Sequence, residues 1–284
     1  MKWLVTGSNG MLGTDLVELL RAAGEEVTGT ARSTLDVTDA EAVDAAVLGH
    51  DVVVNAAAWT AVDDAEDHEA DALEVNGEAP RLLARAAREN GARLVQIGTD
   101  YVFDGSADAP YAEDALAAPA SAYGRTKAAG EEAVREELPD GHLVVRTAWL
   151  YGAHGGCFPK TIARLARERG TVDVVDDQVG QPTWTRDVAD LVVRLVQADA
   201  PAGTYHATSS GQGSWFDFAR AVVVAAGLES SAVQPTSSDS FVRPAPRPAY
   251  SVLGHDALTR LGIDPIGDWE QRWAEAAPAV LDHS

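Results

Sequence analysis

The sequence contains little lysine, cysteine or methionine, and it has no long apolar segment. Only three of its 284 residues are lysine, two are methionine and one is cysteine. Because Cys157 stands alone, an internal disulfide is excluded. No apolar run approaches the ~18 residues of a membrane-spanning helix, and no cationic segment with an apolar stretch opens the chain. We therefore expect a cytoplasmic protein with no membrane partner.

The second shortage is of positive charge. The chain has 22 Lys and Arg against 44 Asp and Glu, which gives a formal net charge of −22 at pH 7. A surface this acidic repels nucleic acid and anionic membranes, so we expect no nucleic-acid partner. The carboxylate excess and the scarcity of lysine favour a halophilic protein, since salt screens the repulsion between carboxylates. An anionic substrate would need cations placed locally around its site.

Short apolar strands alternate with amphipathic helices in the first half of the chain. This alternation is typical of a parallel sheet covered by helices on both faces, and it predicts an α/β, Rossmann-type doubly wound fold. The pattern predicts strands at residues 3–6, 27–30, 52–55, 93–98 and 142–146. It predicts helices at residues 11–23, 40–48, 65–90 and 122–138.

After Thr147 the pattern is less regular, and we expect a smaller C-terminal lobe. Residues 230–248 are rich in Ser and Pro and predict a long loop, and a pair of short helices is predicted to follow. The other predicted elements are helices at 158–169, 184–198 and 215–226 and strands at 172–175 and 204–207. We therefore divide the chain into a dinucleotide-binding domain at 1–150, to which part of 184–207 returns, and a mainly substrate-binding lobe at 151–284.

A glycine-rich turn follows the first predicted strand. Gly7 allows a tight turn, Gly10 lets the backbone approach a pyrophosphate, and Gly13 lets the next helix pack close to the sheet. The N-terminus of that helix would offer free N–H groups to phosphates. The turn therefore predicts a dinucleotide site, the alternative being a purely structural turn. The cofactor-binding residues predicted here are Gly7, Ser8, Asn9, Gly10, Met11 and Leu12.

The end of the second strand distinguishes NADP from NAD. An acid at this position binds the ribose hydroxyls, whereas an arginine can bind the 2′-phosphate. The sequence has Arg32 there and no acid before Asp36, so we expect NADPH, with NADH as the alternative cofactor and a solvated Arg32 as the alternative role. The remaining predicted contacts are Asp36 and Val37 beside the adenine, and Ala56, Ala57 and Ala58 along the third strand end.

Tyr123 and Lys127 are four residues apart on a predicted helix and therefore share one face. A nearby ammonium stabilises a phenolate, so we expect Lys127 to lower the pKa of Tyr123 from its usual ~10 and to let the phenol exchange a proton near neutral pH. Thr99 follows the fourth strand, at the sheet edge where ligands bind, and can hold a substrate carbonyl. Together with the glycine turn, these residues indicate a nicotinamide-dependent redox enzyme.

This constellation resembles the extended short-chain dehydrogenase/reductase family, and longer motifs narrow the resemblance to its dTDP-4-dehydrorhamnose reductases. The likeness covers most of the chain, from Met1 to about Leu261. One departure is Gly98, where that family more often has serine. The matching segments are AAAWTAVDDAE at 56–66, QIGTDYVFDG at 96–105, RTAWLYG at 146–152, DQVGQPT at 177–183 and the segment 243–251.

The resemblance implies reduction of the C4 ketone of a nucleotide-linked 4-keto-6-deoxy sugar, giving dTDP-L-rhamnose. It implies that Thr99, Tyr123 and Lys127 are the catalytic residues and that Asn76 lies on the active-site helix. The substrate-binding residues that it implies are Val62, Thr99, Asp100 and Trp149, with Arg243 and Arg247 as cations for the diphosphate.

Metal binding and assembly stay open at this point. Some members of the family dimerise around a magnesium ion held by acidic side chains, and Asp15 lies at one such position. We expect no catalytic metal, leave magnesium undecided, and expect a monomer or a homodimer.

Two other functions compete with this interpretation. One is a nucleotide-sugar epimerase or dehydratase of the same superfamily. A dehydratase would want an Asp-Glu pair after the threonine, whereas Thr99 is followed by Asp100 and Tyr101. The other is a non-catalytic, reductase-like regulatory subunit of methionine adenosyltransferase, which the intact Tyr123 and Lys127 disfavour.

Overall fold

The computed structural model describes residues 1–282 and is built on a six-stranded sheet with the strand order β10-β5-β4-β3-β1-β2. Every pairing in this sheet is parallel. The strands are β1 (Lys2–Thr6), β2 (Glu26–Thr30), β3 (Val52–Asn55), β4 (Arg93–Thr99), β5 (His142–Thr147) and β10 (Gly203–His206). The predicted doubly wound α/β fold is confirmed, because helices cover both faces of this sheet.

The two faces of the sheet hold separate apolar cores. Trp3 and Val5 of β1 pack in the core that includes α1 and α7, whereas Leu4 packs in the core that includes α2, α4 and α5. All three side chains are fully buried, which explains why the strands read as continuous apolar runs. The helices are α1 (Met11–Ala22), α2 (Ala40–Val47), α4 (Ala79–Asn90), α5 (Ala122–Glu137) and α7 (Thr185–Gln197).

A third apolar core lies in the second half of the chain and is rich in aromatic rings. Phe218 sits at its centre, with the rings of Tyr151 and Trp273 5.3 and 5.4 Å away. The remaining helices in the second half of the chain are α6 (Phe158–Arg169), α8 (Trp215–Ala225), α9 (Asp256–Arg260) and α10 (Trp269–Leu281). Its strands are β6 (Leu150–Tyr151), β7 (Val172–Val175), β8 (Val179–Gly180), β9 (Thr183–Trp184), β11 (Ser209–Ser210), β12 (Gly213–Ser214), β13 (Val233–Thr236) and β14 (Ile266–Asp268).

The single helix predicted over 65–90 is wrong. A 3₁₀ turn at Asp64–Glu66 precedes α3 (Glu69–Leu73), and a π-helical turn at Glu74–Glu78 separates α3 from α4. Pro80 in the first turn of α4 has no N–H to bond the carbonyl of Asn76, which favours such an irregular turn. The freed carbonyl lies so close to α5 that a Cβ on Gly130 would be 2.0 Å from it.

The long loop predicted over 230–248 also needs correction. It contains β13, which pairs in parallel with β7, and short 3₁₀ turns at Ser230–Ala232 and Ser238–Ser240. Pro235 is tolerated because β13 is an edge strand with one neighbour. Of the two short helices predicted at the end of the chain, α10 spans 13 residues, and residues 283–284 lie outside the described part. In the described part, no helix is long and apolar enough to cross a membrane.

Candidate active site

A cleft of about 440 Å³ lies at the carboxyl ends of β3, β4 and β5. Ligands of open parallel sheets bind at this edge. The predicted site residues that the structure brings together in its lining are Gly10, Met11, Leu12, Ala56, Ala57, Ala58, Val62, Thr99, Asp100, Tyr123, Lys127 and Trp149. A larger groove of about 600 Å³ runs between α7 and α10, but its charged residues are largely paired, as in Arg272–Asp187, and it contains no predicted site residue.

The glycine turn has the geometry that a close phosphate approach requires. Gly7 has φ of +65°, and a Cβ there would lie 2.7 Å from the backbone of Ala56. A Cβ on Gly13 would lie 2.2 Å from the Gly7 carbonyl oxygen, so α1 can approach β1 only with glycine there. No side chain caps the N-terminus of α1 at Gly10, which leaves N–H groups of the first turn available. Gly7, Ser8 and Asn9 form the turn without lining the cleft.

The end of β2 lies outside the cleft lining. Arg32 is exposed, as the NADP interpretation needs. Asp36 accepts hydrogen bonds from the hydroxyl and the N–H of Thr38, at 2.7 and 3.0 Å. These bonds, and then the charge of Arg32, lower the pKa of Asp36. Asp36 therefore caps a local turn, and Val37 beside it is half-buried.

Two elements, β4 and α5, position the three predicted catalytic residues. Thr99 is the last residue of β4, and Tyr123 and Lys127 stand on the first two turns of α5. The helix begins where Ser121 caps the N–H of Gly124 at 3.1 Å. A Cβ on Gly124 would lie 2.2 Å from the carbonyl oxygen of Tyr101, so the glycine lets α5 lie against the end of β4.

The charges in this trio differ from the prediction. Burial raises the pKa of Tyr123 to about 12, and a hydrogen bond with Thr99 only partly opposes this rise. Burial lowers the pKa of Lys127 to about 8, opposed by the charge of Glu131. The expected lowering of the phenol pKa by Lys127 is therefore wrong, because desolvation dominates and the ammonium donates to the carbonyl of Ile97 at 2.6 Å.

Two buried polar atoms of the cleft have no partner in the described structure. Burial raises the pKa of Asp100 to about 6, and its Oδ1 accepts a 3.0 Å hydrogen bond from Thr99. Asp100 Oδ2 and Thr147 Oγ1 bond nothing, and neither does the hydroxyl of Ser251, which lies close enough to Asp100 to oppose the rise in pKa. A buried polar atom without a partner needs an explanation, and inside a cleft a bound ligand or an ordered water can supply it. Thr147 was missed in the sequence, although it directly follows the predicted fifth strand as Thr99 follows the fourth.

Asn76 supports the wall of the cleft without lining it. Its Oδ1 accepts from the N–H of Trp59 at 2.9 Å, and its Nδ2 donates to the Trp59 carbonyl and to Thr126 Oγ1, each at 3.1 Å. The π-helical turn therefore connects the cleft segment around Trp59 to α5.

Trp149 lies in the cleft wall in a strained conformation. Its φ is +47°, which a bulky side chain rarely adopts. Its ring stacks on that of Trp215 with centroids 3.6 Å apart and planes 7° apart. A Cβ on Gly180 would lie 2.5 Å from the indole, so the glycine makes room for it. The C-terminal part of the chain thus holds one wall of the cleft.

Neither predicted diphosphate cation lines the cleft. Arg247 pairs with Asp63 at 2.9 Å and Arg243 pairs with the same carboxylate at 3.7 Å. Burial, and then the charge of Asp100, raise the pKa of Tyr101 in the cleft, and the charge of Arg247 opposes them. Arg247 therefore acts electrostatically on the cleft but is also paired with an acid, which is the ordinary arrangement of an arginine at the surface.

One cluster of possible metal ligands lies apart from the catalytic trio. Asp15, Glu18 and His154 offer ligand atoms within 4.8 Å of one another. The buried carboxylate of Asp15 also accepts a 2.5 Å hydrogen bond from Thr185, and burial raises its pKa. Two carboxylates and an imidazole do not match the oxygen-rich octahedron that Mg²⁺ prefers. These residues therefore do not fit a magnesium site within one chain, and we derive no step through a metal.

The comparisons with known proteins agree with this geometry. The family model described as "RmlD substrate binding domain" matches residues 1–281. A dTDP-4-dehydrorhamnose reductase of Streptomyces griseus is 50% identical over 285 residues, covering 98% of this chain and 94% of that protein. A dTDP-4-keto-6-deoxy-D-glucose reductase of Streptomyces niveus is 49% identical over 281 residues, covering 98% and 97%.

A solved structure shows the same fold. The dTDP-4-dehydrorhamnose reductase of Bacillus anthracis in complex with NADP has a TM-score of 0.92 and 35% identity, covering 97% of this chain and 99% of that one. Sequence and fold agree over nearly the full length. The chain therefore belongs to the family of dTDP-4-dehydrorhamnose reductases.

Proposed function

We propose that the protein reduces the C4 ketone of dTDP-4-dehydro-6-deoxy-L-mannose to dTDP-L-rhamnose with NADPH. The observation that carries this proposal is the convergence of Thr99, Tyr123 and Lys127 in one cleft that also reaches the uncapped start of α1. The names of the relatives and the NADP complex of one of them support it.

The cofactor fits the residues present. The free N–H groups at the start of α1 suit a pyrophosphate, and the alanines after β3 leave space along the backbone. We assign Arg32 to the 2′-phosphate because it is exposed and no acid replaces it at the end of β2. Bound NADPH supplies the hydride for C4. We propose that residues 1–150, together with β10, hold this cofactor.

The chain's own residues then handle the carbonyl oxygen. Thr99 donates a hydrogen bond to it, and Tyr123 delivers the proton that the new alcohol needs. A phenol with a pKa of about 12 is fully protonated at neutral pH, which is the form that a reduction requires. Lys127, with a pKa of about 8, is mostly charged there and stabilises the phenolate left behind.

The sugar nucleotide is assigned to the wall opposite the glycine turn. We place Val62, Asp100 and Trp149 against the substrate, since all three line the cleft. Trp149 is backed by Trp215, so residues 151–284 shape this half of the site. Arg247, and less directly Arg243, would attract the diphosphate.

A second candidate is the reduction of a related 6-deoxy sugar. The Streptomyces niveus relative, named a dTDP-4-keto-6-deoxy-D-glucose reductase, is 49% identical to this chain, about as close as the dehydrorhamnose reductase at 50%. Both reactions reduce a 4-keto group on a dTDP-linked sugar, so the trio of this chain would serve either one.

Turnover with reduced cofactor separates these possibilities. Each dTDP-4-keto sugar is supplied with NADPH, absorbance at 340 nm is followed, and the product configuration at C4 is read by NMR. The proposal expects NADPH consumption and dTDP-L-rhamnose. An epimerase or dehydratase would convert sugar without net NADPH loss, and a regulatory subunit would do neither.

We also propose a cytoplasmic enzyme that works at high salt as a monomer or homodimer. The net charge of −22 supports the high-salt assignment. Sedimentation at several KCl concentrations measures the assembly state.

A further inference from the structure

An ion pair lies buried directly behind the catalytic lysine. Glu131 follows Lys127 by one helical turn on α5, and only 2% of its side chain is exposed. Arg146 of β5 donates to Glu131 Oε2 from Nη2 at 2.8 Å and from Nε at 3.1 Å. Nη2 of Arg135 donates to the same oxygen at 2.9 Å. A buried ion pair is costly to desolvate and is weak evidence for a role in stability alone.

Strand β4 leaves room for this ion pair, because Gly98 has no side chain. A Cβ on Gly98 would lie 2.6 Å from Glu131 Oε1 and 2.9 Å from the side chain of Arg146. Gly98 lies between Ile97, whose carbonyl receives the Lys127 ammonium, and Thr99. The carboxylate therefore occupies the space that a side chain at 98 would fill.

The other charged groups near Lys127 do not take the place of Glu131. Arg146 and Arg135 are cations and cannot stabilise the Lys127 ammonium. Tyr123 carries no negative charge while it stays protonated. Burial, and then Arg146, lower the pKa of His206 to about 3, so that ring is neutral. Two further acids lie in this region. The Oε1 of Glu113 accepts from the N–H of Ala257 at 2.9 Å, and Asp100 accepts from the hydroxyl of Thr99 at 3.0 Å. In the described structure, Glu131 is the charge that opposes the fall in the pKa of Lys127.

We propose that Glu131, held by Arg146 and Arg135 in the space left by Gly98, is a positioning residue that keeps Lys127 charged and bonded to the Ile97 carbonyl. It touches neither substrate nor cofactor and acts through the lysine. This role rests on the proposed function, because the charge of Lys127 matters for catalysis only if the protein is the proposed reductase.

The test uses the scarcity of lysine. With only three lysines in the chain, ¹³Cε-labelled protein gives three titrating NMR signals, which Lys2→Arg and Lys160→Arg variants assign. In Glu131→Gln the Lys127 signal should titrate about 1 unit lower than in the wild type, the usual size of a lost charge partner. The other two signals should not move. Glu132→Gln is the matched control, because that side chain is 69% exposed and lies 3.9 Å from Arg135.

The same variants are assayed for kcat against pH. In Glu131→Gln the fall of kcat on the alkaline side should occur about 1 pH unit lower, because Lys127 loses its proton at lower pH. KM for NADPH should stay within twofold of the wild-type value. A folded Glu131→Gln protein with a wild-type Lys127 titration and a wild-type fall of kcat on the alkaline side overturns the proposal. If the wild type turns over no dTDP-4-keto sugar, the proposed function fails while the NMR titration still decides the role of Glu131.

A second variant separates a loss of stability from a change in the titration of Lys127. Glu131→Gln leaves the guanidinium of Arg146 buried without its partner, which destabilises the fold. The double variant Glu131→Gln with Arg146→Met removes both charges and should recover thermal stability. Because this variant also removes the positive charge of Arg146, its Lys127 signal should titrate between those of Glu131→Gln and the wild type. If the double variant recovers stability and the single variant Glu131→Gln titrates Lys127 at the wild-type value, the pair only stabilises the fold and the proposal is wrong.

Discussion

At the residue scale, burial sets the chemistry of the site more than the nearest charge does. Spacing alone puts Tyr123 and Lys127 on one helix face and predicts an activated phenol. The structure instead raises the pKa of the phenol to about 12 and lowers that of the ammonium to about 8. Both shifts follow from removing water around a group whose charged form needs it. A protonated phenol beside a charged lysine suits the delivery of a proton during reduction.

Replacing Tyr123 by phenylalanine should remove that proton donor and leave the fold intact. We expect kcat to fall by ~10²–10⁴-fold, the usual worth of general acid catalysis. NADPH binding, followed by its fluorescence, should stay within twofold. Tyr250→Phe is the matched control, because within residues 1–282 its hydroxyl bonds only Gln212, at 3.2 Å. Wild-type turnover in Tyr123→Phe would show that another group supplies the proton.

Arg32→Ala tests the choice of cofactor. Because the guanidinium is exposed at the end of β2, it is free to meet a 2′-phosphate, and its loss should weaken NADPH binding by about 1.5–3 kcal/mol while NADH is unaffected. The measurement is KM for each cofactor at low salt, since salt screens exposed charges. Arg21→Ala, at the exposed end of α1, serves as the control. Equal losses for both cofactors would remove Arg32 from the site.

The two arginines beside Asp63 should differ in their effect on the substrate. Arg247 is 22% exposed and Arg243 is 59% exposed, so water screens Arg243 more strongly. We expect Arg247→Ala to raise KM for the sugar nucleotide by about tenfold, as for a lost charge-assisted hydrogen bond, and Arg243→Ala to raise it less. KM for NADPH is the control. If neither variant changes KM for the sugar nucleotide, both arginines are surface partners of Asp63.

At the element scale, the regular parts of the fold could be predicted and the irregular parts could not. Buried strands such as β3 read directly as apolar runs, and its predicted bounds, 52–55, match the structure. The π-helical turn at Glu74–Glu78 has no periodic signature. Pro80 favours an irregularity there, but the form of the turn depends on how Asn76 contacts Trp59 and α5. Pairing of β13 with β7 joins distant segments and overrides the turn-like composition of 230–248.

The same distinction applies to the candidate site. Residues of the glycine turn and the trio carry local signals, and most of them meet in one cleft. Gly98 and Glu131 have no such local signal, because their role depends on a contact between β4, α5 and β5 that only the folded chain forms.

Asn76→Ala tests whether the π-helical turn supports the cleft. The change removes three hydrogen bonds and leaves the N–H of Trp59 without its partner, so we expect the free energy of unfolding to fall by about 1–3 kcal/mol. Urea unfolding measures it, and KM for the sugar nucleotide should rise with it. Asn90→Ala is the control, since Asn90 makes one bond to Ala86 at the end of α4. An unchanged midpoint would mean that backbone bonds alone hold the turn.

At the scale of the whole molecule, an acidic protein must admit anionic ligands. The charged groups in the described lining of the cleft are Asp100 and Lys127, so the acidity of the surface does not continue into the site. The long-range field of −22 charges still repels a dianionic sugar nucleotide during its approach. Screening at higher ionic strength removes this repulsion, whereas the buried contacts around Lys127 are screened much less.

Stability should therefore rise with salt. With 44 acidic and 22 basic side chains, even complete pairing would leave half of the carboxylates unpaired, so repulsion outweighs the ion pairs that salt also weakens. The Debye length falls from ~10 Å at 0.1 M salt to ~3 Å at 1 M, and the melting temperature should rise across this range of KCl. Tetramethylammonium chloride at equal ionic strength should give the same rise, since screening does not depend on the cation. A rise with KCl alone would indicate specific ion binding, and a midpoint that does not move between dilute buffer and molar KCl would contradict the high-salt assignment.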